Sequence, residues 1–380
     1  MKIESLLIKD GQTLADEKND LLDRDKADLV IGFGARTRLG GTEVYEYLSA
    51  MYPNAIILLC STAGEIFGNS VHDESISVTA ISFQKTKLKS VSVDIQNHDS
   101  SFSAGQELFG LLDNEGLSYV LVLSDGSTVN GSELVRGMEG SNKGRVPITG
   151  GLAGDAARFE TTLVGLNGPA QTGKIAAIGF YGKDLLITHG SMGGWDMFGP
   201  ERKVTRAKAN KLFEIDGNNA LELYKIYLGK YADELPGSAL LFPLAVTLPG
   251  HNESVVRTIL SIDATDQSMV FAGDVPEGSL VRFMKANFDK LIDAATQAAL
   301  QSFPERIEYT PKLALLISCV GRKIILDKRI DEEVDAISDT FGDSTFLTGF
   351  YSYGEISPLS RNNPCELHNQ TMTITTIDEK

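Results

Sequence analysis

Runs of apolar residues alternate with amphipathic stretches along most of the chain. Residues 28–33 read DLVIGF and residues 55–60 read AIILLC, with a helical pattern over residues 41–51 between them. Continuous apolar runs of this length are typical of strands buried on both faces of a sheet, and the helix between them indicates a β-α-β unit. The chain therefore opens as an α/β fold.

The following segments alternate with period two instead. Residues 75–83 (SISVTAISF) and 88–95 (LKSVSVDI) flank a short polar turn, which predicts an antiparallel hairpin. Strands are expected at residues 119–123 and 146–149, with a helix at 131–138 between them. Parallel and antiparallel pairing together predict an α/β fold with α+β character, in which helices flank mixed sheets.

A glycine-rich stretch, TGGLAGD at residues 149–155, resembles a phosphate-binding turn at first sight. A phosphate site of this kind needs the N-terminus of a helix directly after the turn. The residues that follow read as strands, so we expect a turn between strands.

A charged link punctuated by proline and glycine, GKYADELPG at residues 229–237, separates two halves of the chain. This predicts one domain over residues 25–228 and a second over residues 238–377. In the second half, residues 313–318 (LALLIS) predict a central strand, and residues 365–377 predict an alternating strand.

One sequence motif occurs in both halves of the chain. Residues 56–66 read IILLCSTAGEI and residues 345–356 read TFLTGFYSYGEI, each an apolar strand followed by a turn that ends in Gly-Glu-Ile. Glycine suits such a turn because it tolerates a positive φ and lets the backbone approach a ligand closely. The repetition predicts two related domains.

Composition narrows the function classes. Lys+Arg 35 against Asp+Glu 51 leaves a net charge of -16 over 380 residues, which disfavours nucleic acid and anionic membranes as partners. The N-terminus is too charged for a signal peptide and no long apolar span occurs, so we expect a cytoplasmic protein. The isolated cysteines, Cys60, Cys319 and Cys365, are expected as reduced, buried thiols.

Several short motifs follow one another in a recognisable order. They are CSTAGEI at Cys60, TGGLAGD at Thr149, FAGDVPEG at Phe271, SCVGR at Ser318, GFYSYGEI at Gly349 and ELHNQT at Glu366. Together they resemble the FIST sensory domain, with its N-terminal and C-terminal modules, over residues 25–377.

The resemblance implies a ligand-sensing module of bacterial signal transduction. Stand-alone FIST proteins of this length are similar to haem-binding nitric oxide sensors that regulate a separate histidine kinase or cyclic-di-GMP enzyme. Haem b is the implied cofactor and nitric oxide the implied gas ligand, and a homodimer is left open. Without an output domain of its own, such a sensor would have to dock on another protein.

A haem needs an axial ligand and cationic partners for its propionates. His251, in a loop, and His368, in the ELHNQT motif, are the candidate ligands, although an exposed loop histidine and a structural histidine are the respective alternatives. Arg257 and Arg322 are the candidate propionate partners, with a surface ion pair as the alternative.

A sensor of a small polar metabolite, such as an amino acid without haem, is the second hypothesis. Arg322 or Arg257 would bind its carboxylate, Glu355 its amine, and Tyr351 or Tyr353 would form a wall. These segments end neighbouring predicted strands, where ligands collect in open α/β sheets. Cys319 and Asn369 complete the ligand-binding residues predicted there.

An enzyme is a third hypothesis, because Cys319 ends a predicted central strand and His368 could act as its base. The sequence offers no recognisable oxyanion element. We therefore expect a protein without catalytic residues.

Overall fold

A computed structural model describes residues 1–9, 11–19, 22–303, 310–358 and 363–380. The strands are β1 (Lys2–Lys9), β2 (Gln12–Asn19), β3 (Leu29–Ala35), β4 (Ile56–Thr62), β5 (Glu65–Phe67), β6 (Ser70–His72), β7 (Ile76–Ser82), β8 (Lys87–Asp94), β9 (Leu117–Ser124), β10 (Ile148–Leu152), β11 (Val164–Leu166), β12 (Lys174–Tyr181), β13 (Leu185–Met192), β14 (Asp196–Lys208), β15 (Lys211–Ile215), β16 (Asn218–Asn219), β17 (Leu244–Thr247), β18 (Ser254–Arg257), β19 (Ile259–Asp263), β20 (Ser268–Phe271), β21 (Leu280–Lys285), β22 (Leu313–Cys319), β23 (Phe346–Ser352), β24 (Gly354–Pro358), β25 (Cys365–His368) and β26 (Met372–Glu379). The helices are α1 (Arg36–Leu39), α2 (Glu43–Met51), α3 (Ser101–Gly110), α4 (Gly131–Asn142), α5 (Ala220–Leu228), α6 (Phe288–Gln301), α7 (Val320–Leu326) and α8 (Ile330–Phe341).

The described strands form four sheets, and the prediction of an α/β fold with mixed sheets flanked by helices is confirmed. Sheet 1 has the order β11-β4-β3-β7-β1-β2, sheet 2 the order β25-β24-β10-β9-β12-β8, and sheet 3 the order β13-β26-β22-β23-β5-β6. Sheet 4 has the order β18-β17-β21-β14-β15-β20-β19, with β16 paired to β15.

Sheets 1, 2 and 3 are built on the same plan. Each contains two parallel neighbours joined by a helical crossover, namely β3 and β4, β9 and β10, and β22 and β23. The first strand of each pair has an antiparallel neighbour on its other side, which is β7, β12 or β26. The sequence predicts two related structural units, and the structure contains three sheets built on one plan.

The three sheets exchange strands in a cycle. The chain leaves β4 for β5, which pairs with β23 in sheet 3, and leaves β23 for β24, which pairs with β10 in sheet 2. After β10 it continues to β11, which pairs with β4 in sheet 1. Strands from before and after the predicted boundary therefore share sheets 2 and 3.

The exchange creates one central core between the three sheets. Leu29, Ile31 and Phe33 of β3 face this core, whereas Val30 packs with the α2 residue Leu48 on the opposite face. Alternation of this kind follows from the period of two in a strand. Because helices cover the outer faces, the central strands are buried on both sides, which explains their continuous apolar sequences.

Several predicted pairings are wrong. The expected hairpin over residues 75–95 does not form, because β7 pairs with β1 and β3 while β8 pairs with β12 in another sheet. The single strand expected at residues 365–377 is divided into β25 and β26, which lie in different sheets. Gln370, with φ 60°, lies in the turn between them.

The glycine-rich stretch at residues 149–155 is also different from its prediction. Its first part lies within β10, parallel to β9. A Cβ atom added at Gly150 would lie 1.8 Å from the carbonyl oxygen of Val122 on β9. Gly150 is therefore required by close strand packing.

Sheet 4 has a core of its own with α5. It adjoins the rest of the chain at the N-terminus of α4, where the amide of Asn130 donates to the Asp274 carboxylate at 3.1 Å. The Ser132 hydroxyl accepts the N–H of Asp274 at 3.1 Å. These contacts place the segment after β20 beside α4.

Candidate functional site

The strands β4, β10 and β23 end close together, and each is followed by a glycine and an acidic residue. The three copies are Ala63-Gly64-Glu65, Ala153-Gly154-Asp155 and Tyr353-Gly354-Glu355. The N–H of Ala63 donates to the carbonyl of Tyr351 at 2.8 Å. The N–H of Tyr353 donates to the carbonyl of Leu152 at 3.1 Å, so hydrogen bonds join these strand ends.

Glu355, predicted as a ligand for an amine, is fully buried and bonded within the protein. Its carboxylate accepts the Ser352 hydroxyl at 2.7 Å, and the N–H and hydroxyl of Thr371 at 3.1 and 2.9 Å. Burial raises the pKa of Glu355 to about 8, although these donors oppose the shift. Glu355 lies in β24 of sheet 2, whereas Ser352 ends β23 and Thr371 leads into β26, both in sheet 3, so the carboxylate joins two sheets.

Glu65 has the same surroundings at the equivalent position. Its carboxylate accepts hydrogen bonds from the hydroxyl of Thr62 and from the N–H and hydroxyl of Ser75, the last two at 3.1 and 2.8 Å. Burial raises the pKa of Glu65 to about 7. Both glutamates are structural connections between sheets.

Asp155, at the third position, has different partners. Its buried carboxylate accepts from Nε of Arg36 at 3.1 Å and Nε of Arg158 at 2.7 Å. The N–H of Thr161 also donates to it, at 3.3 Å. A loop over residues 155–161 takes the place of the buried glutamate connection.

Tyr353 holds this loop in place. Its hydroxyl accepts the N–H of Phe159 at 2.9 Å and donates to the carbonyl of Ala156 at 3.3 Å. The rings of Phe159 and Tyr353 stack with centroids 4.6 Å apart. Phe159 has φ 56°, a left-handed conformation that is unfavourable for a bulky residue and is kept only where the surroundings enforce it.

A cleft of about 250 Å³ lies beside this aromatic pair, between the strand ends, the N-terminus of α4 and the segment after β20. Its lining residues are Gly126, Ser127, Val129, Asn130, Gly131, Leu152, Phe159, Asn210, Leu260, Phe271, Ala272, Gly273 and Tyr353. Aromatic and aliphatic side chains share this lining with polar groups, a combination that occurs in small-molecule sites.

The polar side chains of the cleft are held in position by neighbouring groups. The Ser127 hydroxyl donates to the Asp125 carboxylate at 2.9 Å, and the Asn210 amide donates to the Phe271 carbonyl at 2.8 Å. The Asn130 side chain accepts the N–H of Glu133 at 3.1 Å and so caps α4. These groups are ordered before any ligand binds.

Of the ligand residues predicted from sequence, Tyr353 lines this cleft. Arg322 does not, because its guanidinium forms a buried ion pair with Glu333, with Nε at 2.8 Å, and donates to the carbonyls of Gly193 and Leu291 at 2.6 and 2.7 Å. Tyr351 donates its hydroxyl to the same glutamate at 3.0 Å. Arg322 and Tyr351 thus belong to an internal network.

Arg257 is also buried behind the cleft. Its Nε donates to the Asp274 carbonyl at 3.0 Å and its Nη1 to the Leu367 carbonyl at 2.8 Å. Burial lowers the pKa of Arg257 to about 10. These partners are carbonyl groups of the protein, so Arg257 holds sheet 4 against β25.

Cys319 and Asn369 lie in the interior as well. Burial raises the pKa of the Cys319 thiol well above its usual value, so the reactive thiolate is disfavoured. The Asn369 amide donates to the His368 carbonyl at 3.0 Å. Neither residue lines the cleft.

His368 does not fit a haem ligand. Its ring is completely buried, and Nε2 lies 2.8 Å from the carbonyl of Ser357, which can only accept, so Nε2 carries the proton. Burial lowers the pKa of His368 to about 4, which keeps the ring neutral. A porphyrin needs an open apolar face beside the imidazole, and this ring has none.

His251 is exposed in a different pocket of about 360 Å³. Glu253 and Glu366 line the same pocket and would repel haem propionates. Within the part of the chain that the structure describes, no cluster of three or more His, Cys, Asp or Glu side chains could hold a metal ion. His368 is buried and His251 lines an acidic pocket, so the two predicted haem ligands do not lie in one pocket.

Sequence reasoning missed most of the cleft. Two segments of the cleft could have been predicted from the sequence. Residues 124–127 (SDGS) come at the end of an apolar strand, and FAGD at residues 271–274 is part of one of the motifs that resemble the FIST domain. Phe159 and Asn210 lie in segments with no distinguishing pattern. Only the folded chain brings these segments together.

The fold and the cleft define an α/β protein with a candidate small-molecule site. Family models match a FIST N domain over residues 28–218 and a FIST C domain over residues 220–358. The chain belongs to the FIST family, whose domains are sensory modules of signal transduction that bind small ligands. No curated protein matches the chain.

Two solved structures of cyanuric acid hydrolase are weakly similar. One, from A. caulinodans, has a TM-score of 0.38 and 8% identity, with 100% of both chains covered. Another, described as an evolutionary innovation by structural concatenation, has a TM-score of 0.35 and 10% identity, covering 100% of this chain and 99% of the other. Likeness at this level carries no functional information. Among the described helices, none is long and apolar enough to cross a membrane.

Proposed function

We propose that this FIST protein is a cytoplasmic sensor of a small polar metabolite, which binds in the cleft between the strand ends, α4 and sheet 4. The cleft itself carries this proposal, because it combines an aromatic wall with polar groups that are already held in place. Its volume suits a metabolite rather than a macrocycle.

A histidine-ligated haem that senses nitric oxide is the competing function. The burial of His368 and the acidic surroundings of His251 argue against it. An absorption spectrum after expression with added haem tests this directly. A Soret band that His251→Ala or His368→Ala removes would restore the haem hypothesis, whereas a colourless protein supports the metabolite sensor.

The proposal includes no catalytic step. Cys319 is only 4% exposed and its raised pKa disfavours the thiolate. We expect a thiol reagent to leave Cys319 unlabelled in the native protein. Rapid labelling at this residue would instead support a cysteine-dependent enzyme.

Signal output requires two states that the ligand binds with different affinity. The loop at residues 155–161 lies at the cleft and is anchored by Tyr353 and Asp155, so it is the element we expect to respond. The partner is proposed to be a separate histidine kinase or cyclic-di-GMP enzyme. Regulation of a co-encoded enzyme by the purified protein, with and without ligand, would test this step.

A cleft-filling variant tests the binding site. Ala272 lines the cleft and is partly exposed, so Ala272→Leu places additional carbons in the cavity while the backbone bond from its N–H to Thr258 is kept. Ala50→Leu, on the exposed face of α2, is the matched control. In a thermal-shift screen of metabolites, we expect a compound that stabilises wild type and Ala50→Leu but not Ala272→Leu.

A further inference from the structure

The cleft lacks charged side chains. Among its lining residues there is no Asp, Glu, Lys, Arg or His. Tyr353 is the titratable group there, and burial raises the pKa of its phenol to about 12, which keeps it neutral. An ionised ligand would lose hydration without gaining an opposite charge, which is strongly unfavourable.

The buried charged groups beside the cleft have hydrogen-bond partners in the protein, and the Asp125 carboxylate accepts the Ser127 hydroxyl. Arg257 lies behind Gly273 and donates from Nε and Nη1 to carbonyl groups of the protein. Asp274 accepts the Asn130 amide and lies 3.9 Å from Arg136. The cleft therefore offers neither a free cation for a carboxylate nor a free anion for an amine, which an amino acid would require.

An aromatic ring is presented at the cleft instead. Phe159 is 46% exposed although one face of its ring is covered by Tyr353 at an interplanar angle of 20°. The hydrogen bond from its N–H to the Tyr353 hydroxyl fixes the residue in its left-handed conformation. A ring that is backed on one side and open on the other is suited to stacking with a flat ligand.

The remaining lining groups suit the edges of such a ligand. Ser127, Asn130 and Asn210 carry hydroxyl and amide groups, which both donate and accept hydrogen bonds. The cleft volume of about 250 Å³ lies below the roughly 300–1,000 Å³ of sites for drug-sized ligands. One ring or two fused rings would fill it.

We propose that the ligand of this cleft is an uncharged, planar ring compound with hydrogen-bonding edges, which stacks on Phe159. This inference rests on the proposed function, because it names the chemical class of the metabolite. It departs from the amino acid that the sequence suggested, since the arginines and the glutamate expected to bind an amino acid are buried in internal contacts.

The chemical class of the ligand is tested by measuring the binding of defined compounds to selected variants. Uracil, adenine and nicotinamide are neutral rings, and alanine, glutamine and glutamate are charged compounds without a ring. Phe159→Leu removes the stacking surface, Phe159→Tyr keeps it, and Phe288→Leu is a control at another phenylalanine of 46% exposure. Thermal shift and calorimetry are measured for each pair.

We expect at least one ring compound to bind wild type, Phe159→Tyr and Phe288→Leu equally, and to bind Phe159→Leu about tenfold more weakly. Ring binding that Phe159→Leu leaves unchanged would overturn the stacking. An amino acid that stabilises wild type but not Ala272→Leu, with no ring compound bound, would overturn the ligand class while the proposed function stands. If no compound of either class gives a shift that depends on Ala272, both proposals are wrong.

Discussion

Replacing Arg322 by methionine should destabilise the fold without acting on the ligand site. The side chain is 0% exposed and donates to Glu333, Gly193 and Leu291. Methionine keeps an apolar stem but leaves the Glu333 carboxylate buried with only the hydroxyls of Ser318 and Tyr351, each at 3.0 Å. Removing one partner of a buried ion pair costs about 3–5 kcal/mol.

Urea denaturation measures this cost from the midpoint at unchanged slope. Arg329→Met is the control, because Arg329 is 40% exposed and its bonds to Asp289 and Glu332 lie at the surface. An exposed pair of this kind contributes about 0.2–1 kcal/mol. The double variant Arg322→Met/Glu333→Met should recover part of the loss. An Arg322→Met protein with wild-type stability but no metabolite binding would show that Arg322 contacts the ligand, contrary to the structure.

Other consequences can be measured independently. Because the pKa of Glu355 is raised to about 8 from 4.5, the native state holds a proton that the unfolded state releases, and stability should fall by a few kcal/mol as pH rises from about 5 to about 8. Melting temperatures across this range should vary less for Glu355→Gln, and an identical pH profile would contradict the shift. Gly150→Ala should cost more than about 3 kcal/mol because its Cβ would collide with a carbonyl 1.8 Å away, whereas Gly140→Ala, with open space around it in α4, should stabilise by up to about 1 kcal/mol in urea melts. Equal effects of the two glycine variants would refute the close approach. Tyr353→Phe should cost about 1–2 kcal/mol and speed hydrogen exchange at residues 155–161, and unchanged exchange there would show that the hydroxyl does not anchor the loop.

Local sequence patterns predict the positions of the strands in this fold better than they predict which strands pair with each other. The apolar runs at residues 28–33 and 313–318 lie in β3 and β22, because burial on both faces has a direct sequence signature. The pairing of β7 with β3 rather than β8 could not be predicted, since alternation says which face is buried and not which strand lies alongside. The cyclic exchange of strands among three sheets depends on contacts far apart in sequence.

The candidate site was likewise predictable in its local features and unpredictable in its tertiary contacts. The strand-end position predicts Tyr353, and the two Gly-Glu motifs occupy equivalent places, because Glu65 pairs with Phe350 of β23 and Glu355 pairs with Gly151 of β10. The ligand-binding roles expected for Arg322 and Glu355 require side chains that are accessible to a ligand. Accessibility depends on how deeply each side chain is buried and on its partners within the protein. Neither can be predicted from the identity of a charged residue.

The most direct test of the central claim is mass spectrometry of small molecules retained from a metabolite extract by wild type, Ala272→Leu and Ala50→Leu. We predict a compound enriched on wild type and Ala50→Leu and absent from Ala272→Leu. Equal retention by all three proteins, or retention by none, would contradict a metabolite site in this cleft.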